Sequence, residues 1–426
     1  MNLLRHAVRP AANGAARPHA RGARAFRSHK PATWRGRVLA GIAFTAAVHA
    51  PLVANAVGPS SSAPAGIARA EPPSVRVAAV RDLAPFADVR WKDVSRVPGL
   101  TPGLIADLTF NKRTKWSSAD APVSRAVMEQ GRNPGLGVRA LHAAGVTGAG
   151  VSVGIVDQNL CGDHPEFTGR LVRYRDVGCN TSQGSMHGPA VASLLVGRNI
   201  GTAPGARLYF AAAPSWTLDT KFQADALNWL LDVNASLRAQ EKIRVISVSG
   251  APSGPGSNFT RNNADWDAAC DRAAKAGVLV LDCTAHRGII GPCYYDPEAP
   301  DDLSRVEGGF PGAGMVPRAD RILAPSSRRT VAEEYAPGEY GYQYTGRGGL
   351  SWAIPYAAGV LALGWQVNPE LTPERAIALL RQTAYVNGGV RIIHPAAFIE
   401  AVKATLKAPG SKTADPRAHP KQPNES

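Results

Sequence analysis

The chain has 426 residues, enough to bury a large core and to hold one sizeable catalytic domain with extra segments. Its formal charge of +15 is concentrated at one end: ten of the 48 Lys and Arg residues lie in residues 1–70, where there is no Asp or Glu. The remainder carries 38 basic against 33 acidic residues and shows no basic patch interleaved with aromatic residues, so nucleic acid is not an expected partner.

Residues 1–37 are Arg-rich, Val38 to Val57 is apolar, and the apolar stretch ends in Ala54-Asn55-Ala56. Basic, apolar, then small is the order of a secretory signal, so residues 1–56 read as a signal or targeting segment of an exported protein, secreted or periplasmic. The alternatives are an organelle transit leader and a membrane anchor formed by residues 38–57. His49 and Pro51 interrupt a spanning helix there and weaken the anchor reading, with transient membrane contact through this segment as a further alternative. Residues 57–133 read as a linker, rich in Ala, Pro, Ser and Gly up to Pro73, followed by an N-terminal extension with a short strand at Val75–Val80. That extension is either a prosegment removed on maturation or a retained piece that packs on the domain.

From Asn133 the elements sharpen. Asn133–Gly145 reads as a short helix closed by Gly145. Val151–Val156 is a mostly β-branched run, read as a buried parallel strand with Asp157 at its C-terminal end, where sites gather in open α/β sheets. Taken alone, Asp157 is a turn residue or a catalytic carboxylate. His187 opens a helix, Gly188–Val196, and is either its cap or a base held against the sheet by the small residues Ala190, Ala192, Ser193 and Gly197. Strands follow at 206–212 and 245–249, helices at 222–237 and 266–276, and another strand begins at Val278. The Gly348-Gly349 pair then turns the chain into an apolar helix, with Ser351 and Pro355 read as first-turn residues, where a missing N–H costs nothing. N–H groups point outward at such a junction and can stabilise an oxyanion; the alternative for Ser351 is a plain helix cap. Thr372-Pro373-Glu374 caps a further helix, Val390–Ile393 is a last strand, Pro395–Lys407 a last helix, and 406–426 a Pro/Lys-rich disordered tail.

Three motifs taken together narrow the reading. They are G-A-G-V-S-V-G-I-V-D-Q-N (Gly148–Asn159), S-M-H-G-P-A-V-A-S-L-L-V-G (Ser185–Gly197) and G-G-L-S-W-A-I-P-Y-A-A-G (Gly348–Gly359). They supply Asp157, His187 and Ser351 in that order, and from about Pro134 to Thr383 the chain resembles the subtilisin-like serine peptidases. With G-P-C-Y-Y-D (Gly291–Asp296), it resembles a divergent bacterial branch of them. The resemblance implies an α/β fold, doubly wound, with a mostly parallel sheet, helices on both faces and a catalytic domain at 134–405. It implies endopeptide hydrolysis through an acyl-enzyme on Ser351, with His187 as base, Asp157 orienting it, and protein or peptide as substrate. Ser249, Gly250 and Ala251 are the implied substrate edge, and His164 is structural.

Two positions depart from the family. His286 stands where an Asn usually donates to the oxyanion, and Leu350 replaces a Thr. His286 is then a substitute donor alongside the Ser351 N–H, a structural neighbour of the true donor, or a sign of weakened catalysis. The corresponding alternatives are a pseudopeptidase that binds peptides and an esterase or acyltransferase on the same triad. No cofactor or metal is required; Asp301 and Asp302 are the residues weighed for calcium, against a solvated loop. A monomer is expected. Export would allow Cys161–Cys179 and Cys283–Cys293 to form disulfides, each closing a short loop, with Cys270 left over; five free thiols are the alternative.

Overall fold

Every residue of the strand Ser152–Asp157 is buried, yet its two sides face different neighbours. Val153 and Ile155 join one apolar cluster and Val156 joins another, because side chains alternate along a strand. The adjacent parallel strand repeats the division, with Leu208, Phe210 and Ala212 on one side and Tyr209 and Ala211 on the other. A sheet apolar on both faces must be covered on both.

The computed structural model describes residues 75–407, apart from 78, 81–82, 84–85, 182 and 313–316. The expected signal segment 1–56, the linker through Pro73 and the tail beyond Lys407 lie outside the described residues. The N-terminal region contains α1 (Pro102–Asp107), β1 (Thr109–Asn111) and α2 (Asp120–Gln130). Then come α3 (Val138–Ala143), β2 (Ser152–Asp157), β3 (Leu171–Asp176), α4 (His187–Val196), β4 (Arg207–Ala212) and α5 (Lys221–Ser236). They continue into β5 (Ile243–Val248), α6 (Asn263–Lys275), β6 (Leu279–Leu281), β7 (Ile290–Tyr294), β8 (Ile322–Pro325), β9 (Arg329–Ala336) and β10 (Glu339–Thr345). The described residues end with α7 (Leu350–Val367), α8 (Pro373–Gln382), β11 (Tyr385–Asn387), β12 (Val390–Ile392) and α9 (Pro395–Lys407).

The central sheet has the order β3-β4-β2-β5-β6, and every pairing in it is parallel. On one face α5 and α6 bring Leu227, Leu230 and Trp266 against Val156, Tyr209 and Ile246. On the other, α4 and α7 bring Val191, Leu195, Val360 and Leu361 against Ile155, Phe210 and Val245. This is the doubly wound α/β arrangement expected from the sequence. Two further sheets flank it, and a separate two-stranded pairing joins Val75–Arg76 to Lys92–Asp93. One runs β7-β8-β12-β11, with the two-residue strand Glu307–Gly308 on its outer edge. The other is the antiparallel hairpin β9–β10 extended by β1 from the N-terminal region.

That third sheet shows where residues preceding Pro134 go. Thr109, Phe110 and Asn111 pair with Thr345, Tyr344 and Gln343. Phe110 and Tyr344 share a cluster with Val89, Ile105, Leu108 and Val127. Polar contacts cross the same seam: the Tyr344 hydroxyl donates to the Ala106 carbonyl at 2.8 Å, and the Asn111 amide donates to Glu333 Oε2 at 3.0 Å.

Three expectations change. First, α9 runs to Lys407, so the helix overlaps the tail that the sequence reading begins at residue 406. Second, α7 starts at Leu350, which puts Pro355 inside the helix and not in its first turn. Third, all five cysteines are free. Cys283 follows β6 at the edge of the central sheet, Cys293 is fully buried on β7 in a different sheet, and neither is bridged. Cys161 and Cys179 are packed as small apolar side chains in the main core and are likewise unbridged.

Candidate active site

Asp157 is the last residue of β2, in register with Ala212 of β4, so its carboxylate emerges at the C-terminal edge of the sheet. It is nearly buried, and its Oδ1 accepts from the Gln158 backbone N–H at 2.8 Å. The same oxygen lies 2.7 Å from Nδ1 of His187. An ionised carboxylate only accepts, so Nδ1 carries the proton and Nε2 keeps its lone pair for another donor.

His187 is the first residue of α4. The helix start is held by Ser185, whose Oγ accepts from the Gly188 N–H at 2.9 Å and whose hydroxyl donates to the Asn159 carbonyl at 3.2 Å. A Cβ on Gly188 would lie 2.3 Å from the Gln158 and Asn159 carbonyl oxygens, so only glycine lets α4 approach the Asp157 loop this closely. Burial pulls the His187 pKa down, but the charge of Asp157 and its hydrogen bond outweigh that and leave it above the ordinary imidazole value.

Ser351 is the second residue of α7, reached through a turn that admits no substitute at Gly348. That residue has φ of +63°, and a Cβ there would sit 1.8 Å from the Ser326 carbonyl oxygen. The misplaced proline now acquires a role. Pro355 has no N–H for the carbonyl four residues earlier, which belongs to Ser351. Ser249, just past β5, fills the gap: its hydroxyl donates to the Ser351 carbonyl at 2.8 Å, while Ser351 Oγ donates to the Ser249 carbonyl at 3.0 Å. This reciprocal pair fastens the start of α7 to the edge of the central sheet. The Leu350 and Ser351 N–H groups are the first of the helix, where no intrahelical acceptor exists for them.

The other candidates separate. Ser249 touches Ser351 directly. Gly250 accepts from the Cys283 N–H at 2.8 Å, and the space where its Cβ would stand is open. Ala251 accepts from the Ser257 hydroxyl at 2.6 Å. His286 is turned toward α6: its Nε2 lies 3.2 Å from Asp267 Oδ1, a carboxylate that also takes Ser253 and Arg287. His164 is buried, with Nε2 2.9 Å from the Gly341 carbonyl. Asp301 accepts from the Gly137 N–H, and Asp302 caps Ser304. Among the described residues, no three His, Cys, Asp or Glu side chains converge as a metal site.

Two neighbours were not singled out from the sequence. Ser185, three residues before Gly188, has the spacing of a helix cap and was readable as one. Trp352 stands in the quoted Gly348–Gly359 motif, but nothing local shows that its ring lies 5.4 Å from that of His187, inclined at 51°. As a set, these groups offer an oriented imidazole, a hydroxyl at a helix N-terminus and backbone donors beside it, which are the parts that acyl transfer needs.

Residues 148–304 match the Subtilase family, Peptidase_S8. The chain is 26% identical over 277 residues to the subtilisin-like protease PopC of Myxococcus xanthus, a match covering 55% of this chain and 56% of that protein. It is 25% identical over 264 residues to the subtilisin of Bacillus pumilus, covering 58% of this chain and 87% of that one. Over 252 residues it is 27% identical to an extracellular serine proteinase of a Thermus strain, covering 57% of each. The chain thus spans little more than half the length of PopC and of the Thermus protein. Among solved structures, the fold resembles that of the subtilase cytotoxin SubAB assembly, with a TM-score of 0.51, 16% identity, and coverage of 64% of this chain and 96% of that one.

Proposed function

We propose that the chain is a serine endopeptidase acting through Asp157, His187 and Ser351, a reading supported by the match of residues 148–304 to the Subtilase family. The observation that carries the reading is the 2.7 Å contact between Asp157 and His187 Nδ1 at the C-terminal edge of the central sheet. It orients Nε2 as the base. Ser351 Oγ leaves its hydrogen bond to Ser249, gives its proton to Nε2 and attacks the peptide carbonyl. The oxyanion that forms lies against the N–H groups at the start of α7. His187 returns the proton to the leaving amine, and water, deprotonated by the same imidazole, releases the acyl group from Ser351. The substrate is an extended peptide running past Gly250, where the structure leaves room. Export accords with the N-terminal segment and with the extracellular relative.

One observation favours a second reading, a peptide-binding pseudopeptidase: Ser351 spends its hydrogen on Ser249, and His286 is engaged elsewhere. A fluorophosphonate separates the two, because it reacts only with an activated serine. We expect the full-length protein to gain one adduct by intact mass and Ser351→Ala to gain none. A folded parent that stays unlabelled overturns the peptidase reading in favour of the binding module.

A further inference from the structure

Hydrogen bonding to one ring nitrogen places that nitrogen without setting the tilt of the ring. His187 can swing about its Nδ1···Asp157 contact, and the swing carries Nε2 toward or away from Ser351. A second surface is needed to fix the tilt. The indole of Trp352 lies beside the imidazole, with centroids 5.4 Å apart and planes inclined at 51°. Trp352 is itself 5% exposed, and its Nε1–H donates to Thr345 Oγ1 at 2.8 Å. Thr345 is also buried, and its hydroxyl donates to the Arg329 carbonyl across the hairpin at 3.3 Å. Because an indole has a single donor, this bond sets the ring's orientation.

On the peptidase reading above, on which this rests, we propose that Trp352, held by Thr345, is a positioning residue for His187. The indole face limits the tilt of the imidazole and favours its protonated form, since a cation within about 6 Å of an aromatic centroid is attracted by the ring quadrupole. Thr345 also pairs with Thr109 of β1, so the N-terminal region reaches the catalytic base through three contacts: strand pairing, the Thr345–Trp352 hydrogen bond and the ring contact. The titratable groups around the pair are Asp157 from β2, and Cys179 and Cys283, whose thiols feel the Asp157 charge. Burial pushes Cys179 up to about 12 and Cys283 higher still, so both stay neutral while His187 titrates.

The test compares Trp352→Leu, which removes the aromatic face, Trp352→Phe, which restores a face without the N–H, and Thr345→Val, which frees the indole while changing little volume. Steady-state kinetics on a peptide substrate across pH should show kcat reduced about fivefold in Trp352→Leu, by less in Thr345→Val, and partly restored in Trp352→Phe, with KM nearly unchanged. A second readout is independent of turnover. In the Ser351→Ala background, the His187 13Cε1 resonance, assigned by its loss in His187→Gln, should titrate at lower pH when Trp352 becomes Leu or Thr345 becomes Val. Superimposable pH profiles and an unmoved His187 titration overturn the assignment, as does a loss confined to KM. If the parent is inert toward fluorophosphonate while His187 still shifts with Trp352, the peptidase reading fails and the ring contact stands.

Discussion

Phe110 tests whether the N-terminal region is part of the working domain. Its ring is 2% exposed and lies 5.2 Å from Trp116 at 86° and 5.1 Å from Tyr344 at 31°. Phe110→Ala removes both aromatic contacts and leaves a cavity between β1, α2 and β10, at a cost of about 3–5 kcal/mol. About 330 residues unfolding together gain roughly 0.7 kcal/mol per kelvin in entropy, so 4 kcal/mol lowers Tm by about 6 °C. Calorimetry of full-length protein should show this shift in one cooperative transition, with kcat also lowered because β1 pairs with the strand that carries Thr345. Intact mass would accompany it. The reasoning is refuted if active, fluorophosphonate-labelled protein lacks residues 75–133, or if Phe110→Ala melts a small separate transition and leaves the main one in place.

Four further predictions concern the site itself. Gly348→Ala should abolish serine labelling, because the side chain would collide with the Ser326 carbonyl at a φ of +63°. Gly349→Ala should change stability by no more than about 0.5 kcal/mol, because its φ of −178° is ordinary extended backbone and the nearest atom to the new Cβ is 3.9 Å away. Activity should rise with pH through an inflection above the usual imidazole value of about 6.5, since His187 must be neutral to act as base and Asp157 raises its pKa. The sign for stability is opposite. The protonated His187–Asp157 pair stabilises the fold fully below the unfolded value of about 6.5, and that contribution is lost as pH rises through the higher folded value. Urea melts of Ser351→Ala and of Ser351→Ala/Asp157→Asn between pH 5.5 and 9 should converge at the alkaline end. A gap that widens with pH contradicts the assigned shift.

Much of this protein is legible because its signals are local. Thr372 and Pro373 announce α8, and Thr372 Oγ1 indeed accepts from the Arg375 N–H. The apolar run before Asp157 is a strand whatever surrounds it, and the carboxylate at its end meets His187 at the first residue of α4. What only the tertiary structure decided are the pairings between distant segments. Cysteine spacing suggested two bridges, but strand order puts Cys283 and Cys293 in different sheets. The nucleophile motif carries Pro355 without revealing that Ser249, 102 residues earlier, satisfies the carbonyl Pro355 abandons. The partner that His286 takes, Asp267, lies 19 residues earlier on α6. Nothing near residue 110 in sequence indicates that β1 would complete a hairpin more than 200 residues downstream. Propensity and capping act over a few residues, and so are written in the chain. Register, burial and ring contacts depend on which surfaces meet when the chain closes, and sequence spacing does not encode them.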